Sequence, residues 1–360
     1  MRARLRVAGL LMLLAAWCSA EEARRVLPPP EGRLYHGVYP GGVTGEEDDL
    51  TPKDVDTYEA HVGARVAWVY FSNNWYAERA FPRKTAEWIR DRGSVPFVRL
   101  MLRSNAEQNI EEPEFTVEKI ADGEFDEDLT AWARGAKAFG TPLLVEWGTE
   151  MNGEWFSWNG TWHGGGECGE FGDPKRPDGP ERFASAWRHI VETMRVTGAD
   201  NLTWVFHVNA NDGPEEGWNR FEEYYPGDDV VDWVGISAYG PQLPSDDEAP
   251  SFRDMIDPAV KRVEGMAPEK PIVALEFGCT AGSKAAKPEE WAAAALDDLL
   301  LRRWKSIIGF SWWNERWEND DVRAHDTTMR VQDIPALADV FRTRLSKAKD
   351  RLQDRPVFGK

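Results

Sequence analysis

The chain has 360 residues, with 62 acidic against 43 basic side chains and a net charge of −19 at neutral pH. That balance argues against nucleic acid or an anionic membrane as a partner, because both need basic surfaces. It suits a neutral substrate, although acidity that only keeps a protein soluble would look the same. The length fits one large barrel or two modest domains, and the 18 tryptophans are the main compositional excess.

The first segment, "MRARLRVAGLLMLLAAWCSA", places three arginines before an apolar run and small residues. It reads as a secretory signal cut after Ala20, which predicts a secreted or periplasmic protein. Its apolar run is short for a membrane span, and Trp17 before Cys18 is wrong for a lipoprotein site. Residues 21–32 read as an exposed leader. Beyond Cys18 two cysteines remain, Cys168 and Cys279, which an exported chain could pair or leave as separate thiols.

Apolar runs then alternate with amphipathic stretches. The expected strands are 33–40, 64–72, 94–102, 141–147, 202–208, 231–239, 271–278 and 307–313. Each is short, rich in β-branched and aromatic residues, and bounded by Gly, Pro or Asp. The acidic run 45–54 reads as a solvated helix entry. Thr51 followed by Pro52 starts a helix, and Gly93 stops the next. Further amphipathic helices are expected over 126–140, 180–198, 251–266 and 287–304, with a last one over 333–352. The crossover at 209–230 reads mostly as loop. Eight strands alternating with helices predict a single-domain (β/α)8 TIM barrel over 33–350, with a short tail at 351–360. A doubly wound sheet is the alternative, but no Gly-rich phosphate fingerprint follows the first strand.

In such a barrel the site lies at the C-terminal strand ends. Glu150 follows the fourth expected strand and Glu276 ends the seventh. Tyr239 ends the sixth, Asn209 follows the fifth, Trp75 follows the second, and Trp312 and Trp313 end the eighth. Two carboxylates at one mouth suit glycoside hydrolysis, one as acid and one as nucleophile or base. Tryptophan faces pack against the C–H faces of sugars. A single such glutamate would more simply cap a helix or pair with an arginine such as Arg99; two on separate strand ends shift the balance.

These segments resemble glycoside hydrolase family 26, best known for β-mannanases. "GTEMNGEWFSWNG" (148–160) is similar to its acid/base motif, "ALEFG" (274–278) to its nucleophile segment, "DWVGISAY" (232–239) to its sixth strand and "SWWN" (311–314) to its eighth. The resemblance implies a retaining endo-β-mannanase-like enzyme with Glu150 as acid/base and Glu276 as nucleophile. It implies that Tyr239 orients Glu276, and that Asn152, Trp155, Trp158 and Trp312 line the subsites; Asn209 and Trp75 are expected to bind substrate from their strand-end positions. Two positions depart from the family pattern. Thr149 stands where the family has histidine, and Glu146 where it commonly has arginine. Mannan is the first expected polymer, β-glucan or xylan the second, and a non-catalytic sugar-binding barrel the competing class. No cofactor is expected, since the six histidines show no metal-ligand spacing. The partner expected is an oligosaccharide or polysaccharide, bound by a monomer.

Overall fold

The computed structural model describes residues 25–41 and 49–359. The expected signal peptide and residues 45–48 of the acidic run lie outside the described residues. Eight parallel strands close a barrel: β2 (Leu34–Tyr39), β3 (Trp68–Asn74), β4 (Val95–Met101), β5 (Leu143–Trp147), β6 (Leu202–Asn209), β7 (Trp233–Tyr239), β8 (Ile272–Gly278) and β9 (Ile307–Trp313). They pair in chain order, and β2 pairs with β9 to complete the ring. This is the expected (β/α)8 barrel, and each strand overlaps its expected segment.

The helices follow their start and stop signals. Helix α1 (Pro52–Val62) opens at Thr51, whose N–H and hydroxyl both donate to the Asp54 carboxylate at 2.8 and 2.6 Å. Also present are α2 (Arg83–Asp91), α4 (Asp126–Phe139), α5 (Asp178–Val196), α6 (Phe252–Met266), α7 (Pro288–Leu300) and α8 (Pro335–Lys347). Short helix α3 (Val117–Ala121) was not expected; five residues are too few to show a period. The crossover after β6 holds only two short 3-10 turns, as its weak pattern suggested.

The two chain ends differ from expectation. Residues 25–27 are expected as exposed leader, yet β1 (Arg25–Leu27) pairs antiparallel with β11 (Val357–Gly359), and Val26 is buried. The tail also adds β10 (Leu352–Gln353) in parallel beside β2. Three residues carry too little pattern to be told from loop. What makes them strands is the partner segment over three hundred residues away.

Candidate active site

The stretch after β5 turns sharply before it reaches Glu150. Gly148 has φ 65°, and a Cβ there would lie 2.4 Å from the Phe183 ring, so only glycine fits. Glu150 itself has φ 49°, the left-handed region that costs a non-glycine residue roughly 1–2 kcal/mol. Its N–H donates to the His207 carbonyl at 2.9 Å, which holds the turn against β6. The side chain is buried and gripped at both oxygens. Trp155 Nε1 donates to Oε2 at 2.8 Å, and Asn209 Nδ2 donates to Oε1 at 3.0 Å. Gly153 lets that indole lie close, since a Cβ there would overlap the ring at 2.2 Å.

Glu276 reaches the mouth through an irregularity in β8. Ala274 opposes Ile236 and Glu276 opposes Ser237, so Leu275 is an extra residue in the pairing with β7. Such bulges re-aim side chains beside active sites. Glu276 is 3% exposed. It accepts from the Tyr239 hydroxyl at 2.8 Å and from the Tyr70 hydroxyl at 3.2 Å. Burial pushes its carboxyl up to about 7; the Arg99 and His207 charges oppose that rise, and the Glu150 and Glu146 carboxylates add to it. Glu150, His207 and Glu276 bring ligand-type atoms within 4.8 Å of one another. The two glutamates therefore face each other across one cleft of about 830 Å3.

The cleft keeps some expected residues and replaces others. Trp155, Asn209 and Tyr239 line it. Asn152 does not: its amide is fully buried and bonded to the Asn209 carbonyl, the Asn209 N–H and Asp212, so it braces the loop. Trp158 is also buried, stacked on Phe156 with Nε1 on the Thr149 carbonyl. Trp75 packs edge-on to Phe115 beneath the surface. Trp312 points outward into the helix layer, between Phe277 and Phe341, and its indole donates to the Met329 carbonyl. Its neighbour Trp313 takes the cleft position, stacked on Tyr39 with centroids 3.8 Å apart. Trp317 and Phe156 add further rings to the lining. Cys168 and Cys279 are both free thiols, the first exposed and the second buried. Asn159 and Asn201, which begin the triplets Asn-Gly-Thr and Asn-Leu-Thr, are buried.

Sequence reasoning offered Arg99 as a partner for a glutamate but did not assemble the layer under the cleft. Glu146, Arg99 and His207 are all buried. Glu146 accepts a hydrogen bond from the Tyr70 hydroxyl, lies 3.6 Å from Arg99 Nε and 2.9 Å from His207 Nδ1. His207 also bonds the hydroxyls of Thr149 at 2.8 Å and Ser237 at 2.7 Å. Burial alone would lower the basicity of this imidazole, but the facing carboxylates, Glu146 foremost, raise it. A further sequence signal was the departure at 146 and 149, where a carboxylate and a hydroxyl replace two basic residues.

Residues 104–276 match the model of glycosyl hydrolase family 26, a span that contains both glutamates. Over that span the chain is similar to glycoside hydrolase family 26, as a divergent relative. Endoglucanase H of Acetivibrio thermocellus is 26% identical over 270 residues, covering 74% of this chain and 27% of that protein. A β-1,3-xylanase of a Vibrio species is 28% identical over 127 residues, 35% of this chain and 23% of that one. The chain thus spans about a quarter of the length of these relatives. Among solved structures, a family 26 β-mannanase from Bacteroides ovatus superposes with a TM-score of 0.58 at 14% identity, covering 89% of this chain and 90% of that one. A family 26 protein from a Muricauda species gives 0.61 at 16% identity, over 89% of this chain and 87% of its own. Those likenesses establish the barrel fold of this chain. Among the described residues no helix is long and apolar enough to cross a membrane.

Proposed function

We propose that this chain is a retaining glycoside hydrolase of family 26 that cleaves β-linked polysaccharide from within the polymer. The observation that carries the reading is the pair Glu150 and Glu276, from opposite sides of the barrel, with carboxylate oxygens within 4.8 Å. Retaining enzymes hold their two carboxyl groups roughly 5–5.5 Å apart, and inverting ones leave room for a water between them. Glu276 attacks the anomeric carbon as the glycosidic bond breaks, and Glu150 gives its proton to the departing oxygen. Water then releases the sugar, with Glu150 taking the water's proton back. Tyr239 steadies the attacking carboxylate. Trp155, Trp313 and Trp317 offer ring faces to the sugars. The protein works after export, as the signal-like segment 1–20 suggests, with no cofactor and as a monomer.

Mannan is the first polymer to try, from the motif at 148–160. β-Glucan is the second reading. The relative matched over 270 residues is an endoglucanase, and Thr149 replaces the family histidine beside the acid/base. The test is hydrolysis of mannans, β-glucans and xylans by the wild type, Glu150→Gln and Glu276→Gln. Cleavage of one polymer, lost in both variants, is expected. Binding without cleavage in all three proteins, on every polymer, would make this a sugar-binding barrel instead.

A further inference from the structure

Beneath the cleft lies a set of buried groups that the double displacement does not itself use. His207 rises from β6 with no exposed surface. Every element packed around it presents a polar group to it. From β5 and its turn come Glu146 Oε2 at 2.9 Å from Nδ1 and the Thr149 hydroxyl at 2.8 Å. From β7 comes the Ser237 hydroxyl at 2.7 Å from Nε2. From β8 comes Glu276 Oε1 at 4.0 Å from Nδ1. Arg99 on β4 and Tyr70 on β3 meet Glu146 from its far side, and the carboxylate of Glu150 contributes from the cleft.

We propose that His207 is a positioning residue that holds a positive charge beneath Glu276, kept there by Glu146. The inference rests on the reading of Glu150 and Glu276 as acid/base and nucleophile. Charge balance in a buried site decides it, because unpaired charges away from water are strongly disfavoured. Before attack the reaction needs Glu150 protonated and Glu276 ionised. Glu146 and Glu276 then carry two negative charges, and Arg99 supplies one positive. A protonated His207 brings the cluster to zero. Attack forms the bond from Glu276 to the anomeric carbon and breaks the glycosidic bond, whose oxygen takes the Glu150 proton. Glu276 is now a neutral ester and Glu150 an anion, so the sum is again zero. A neutral imidazole would leave the cluster one charge negative in both states. Both hydroxyls fit the charged ring, since each can accept from one of its two N–H groups. The Thr149 hydroxyl stands where the family histidine would bring a second imidazole against His207. Glu146 supplies the counter-charge where the family commonly has arginine, so the two departures act together.

The test follows the ring directly and the reaction separately. Protein labelled with 15N in its histidines is titrated by NMR, with His207→Gln used to assign the signal. The His207 ring is expected to stay protonated above the pH at which exposed histidines titrate, and to titrate at lower pH in Glu146→Gln. In rate profiles, His207→Gln is expected to move the acidic limb of kcat/KM upward by about one pH unit or more, since an opposite charge within 4–6 Å lowers a carboxyl by 1–3 units. The loss is then about tenfold larger at pH 6 than at pH 9. If His207→Gln does not fold, Ser237→Ala removes only the Nε2 acceptor. It should lower the ring's titration point and shift the limb in the same direction by less. A ring that is neutral at pH 6 in the wild type, or a limb unmoved by these variants, overturns the inference. If the wild type cleaves no polymer, the proposed reaction fails, and the ring titration alone decides whether His207 carries the charge.

Discussion

The two ends of the barrel solve opposite problems with the same strands. At the base, where the strands begin, aromatic rings pack against one another. Tyr35 lies 5.7 Å edge-on to Trp68 and 6.4 Å stacked on Trp233. Several polar atoms there have close partners. The Tyr35 hydroxyl donates to the Leu27 carbonyl and accepts from the Val357 N–H, both at 2.9 Å, and Val26 N–H donates to Thr203 at 2.9 Å. At the mouth, where the strands end, three carboxylates, an arginine and an imidazole are buried together. The base gains stability from burial; the mouth gives some of it up to hold charge where a reaction needs it. Closing a barrel makes this division available, because the catalytic end can be strained while the other end keeps the ring shut.

Several changes would break or sharpen that contrast. The largest effect is expected at the mouth. Glu276→Gln should abolish hydrolysis, and Glu150→Gln should reduce it by about 10^2–10^4-fold, measured as kcat on a cleaved polymer. Next is the acidic limb of the wild-type pH profile. In the proposed reaction Glu276 is ionised to attack, and burial pushes its carboxyl up to about 7. The rate should therefore fall about tenfold per unit as pH drops below that value.

Stability should move the other way. The folded protein keeps the Glu276 proton up to about 7, whereas an unfolded carboxyl releases it near 4.5. The unfolded chain binds fewer protons in that window, so stability is lost as pH rises through it, by about 3 kcal/mol from this group. Glu276→Gln removes the loss. It should melt several degrees higher than wild type at pH 8 and close to wild type at pH 4.5, by scanning calorimetry. At the base, Tyr35→Phe strips the hydroxyl from two partners and should cost about 1–3 kcal/mol while leaving kcat unchanged. The smallest effect is expected from reductant. With both thiols free, dithiothreitol should leave the melting temperature where it was.

Much of this was legible in the sequence, but unevenly. The strand order, the helix starts and the positions of Glu150 and Glu276 follow from local pattern: apolar runs, caps, and polar residues at strand ends. Which member of a pair faces the cleft did not. Trp312 and Trp313 are chemically alike, and both stand at the end of a strand buried on both faces, where no polar alternation marks the inside. Trp158 and Asn152 sit in a motif rich in sugar-binding residue types, yet the fold of the loop turns them into its own struts. The ends at 25–27 and 357–359 become strands only because each finds the other.

The sequence by itself determined the periodicity, and with it the barrel and the two acidic strand ends, because those depend on neighbours a few residues apart. Only the tertiary structure decided that Glu146, Arg99 and His207 meet under Glu276. They come from three different strands, and a charge is tolerated inside a protein only where the fold brings its partners to it.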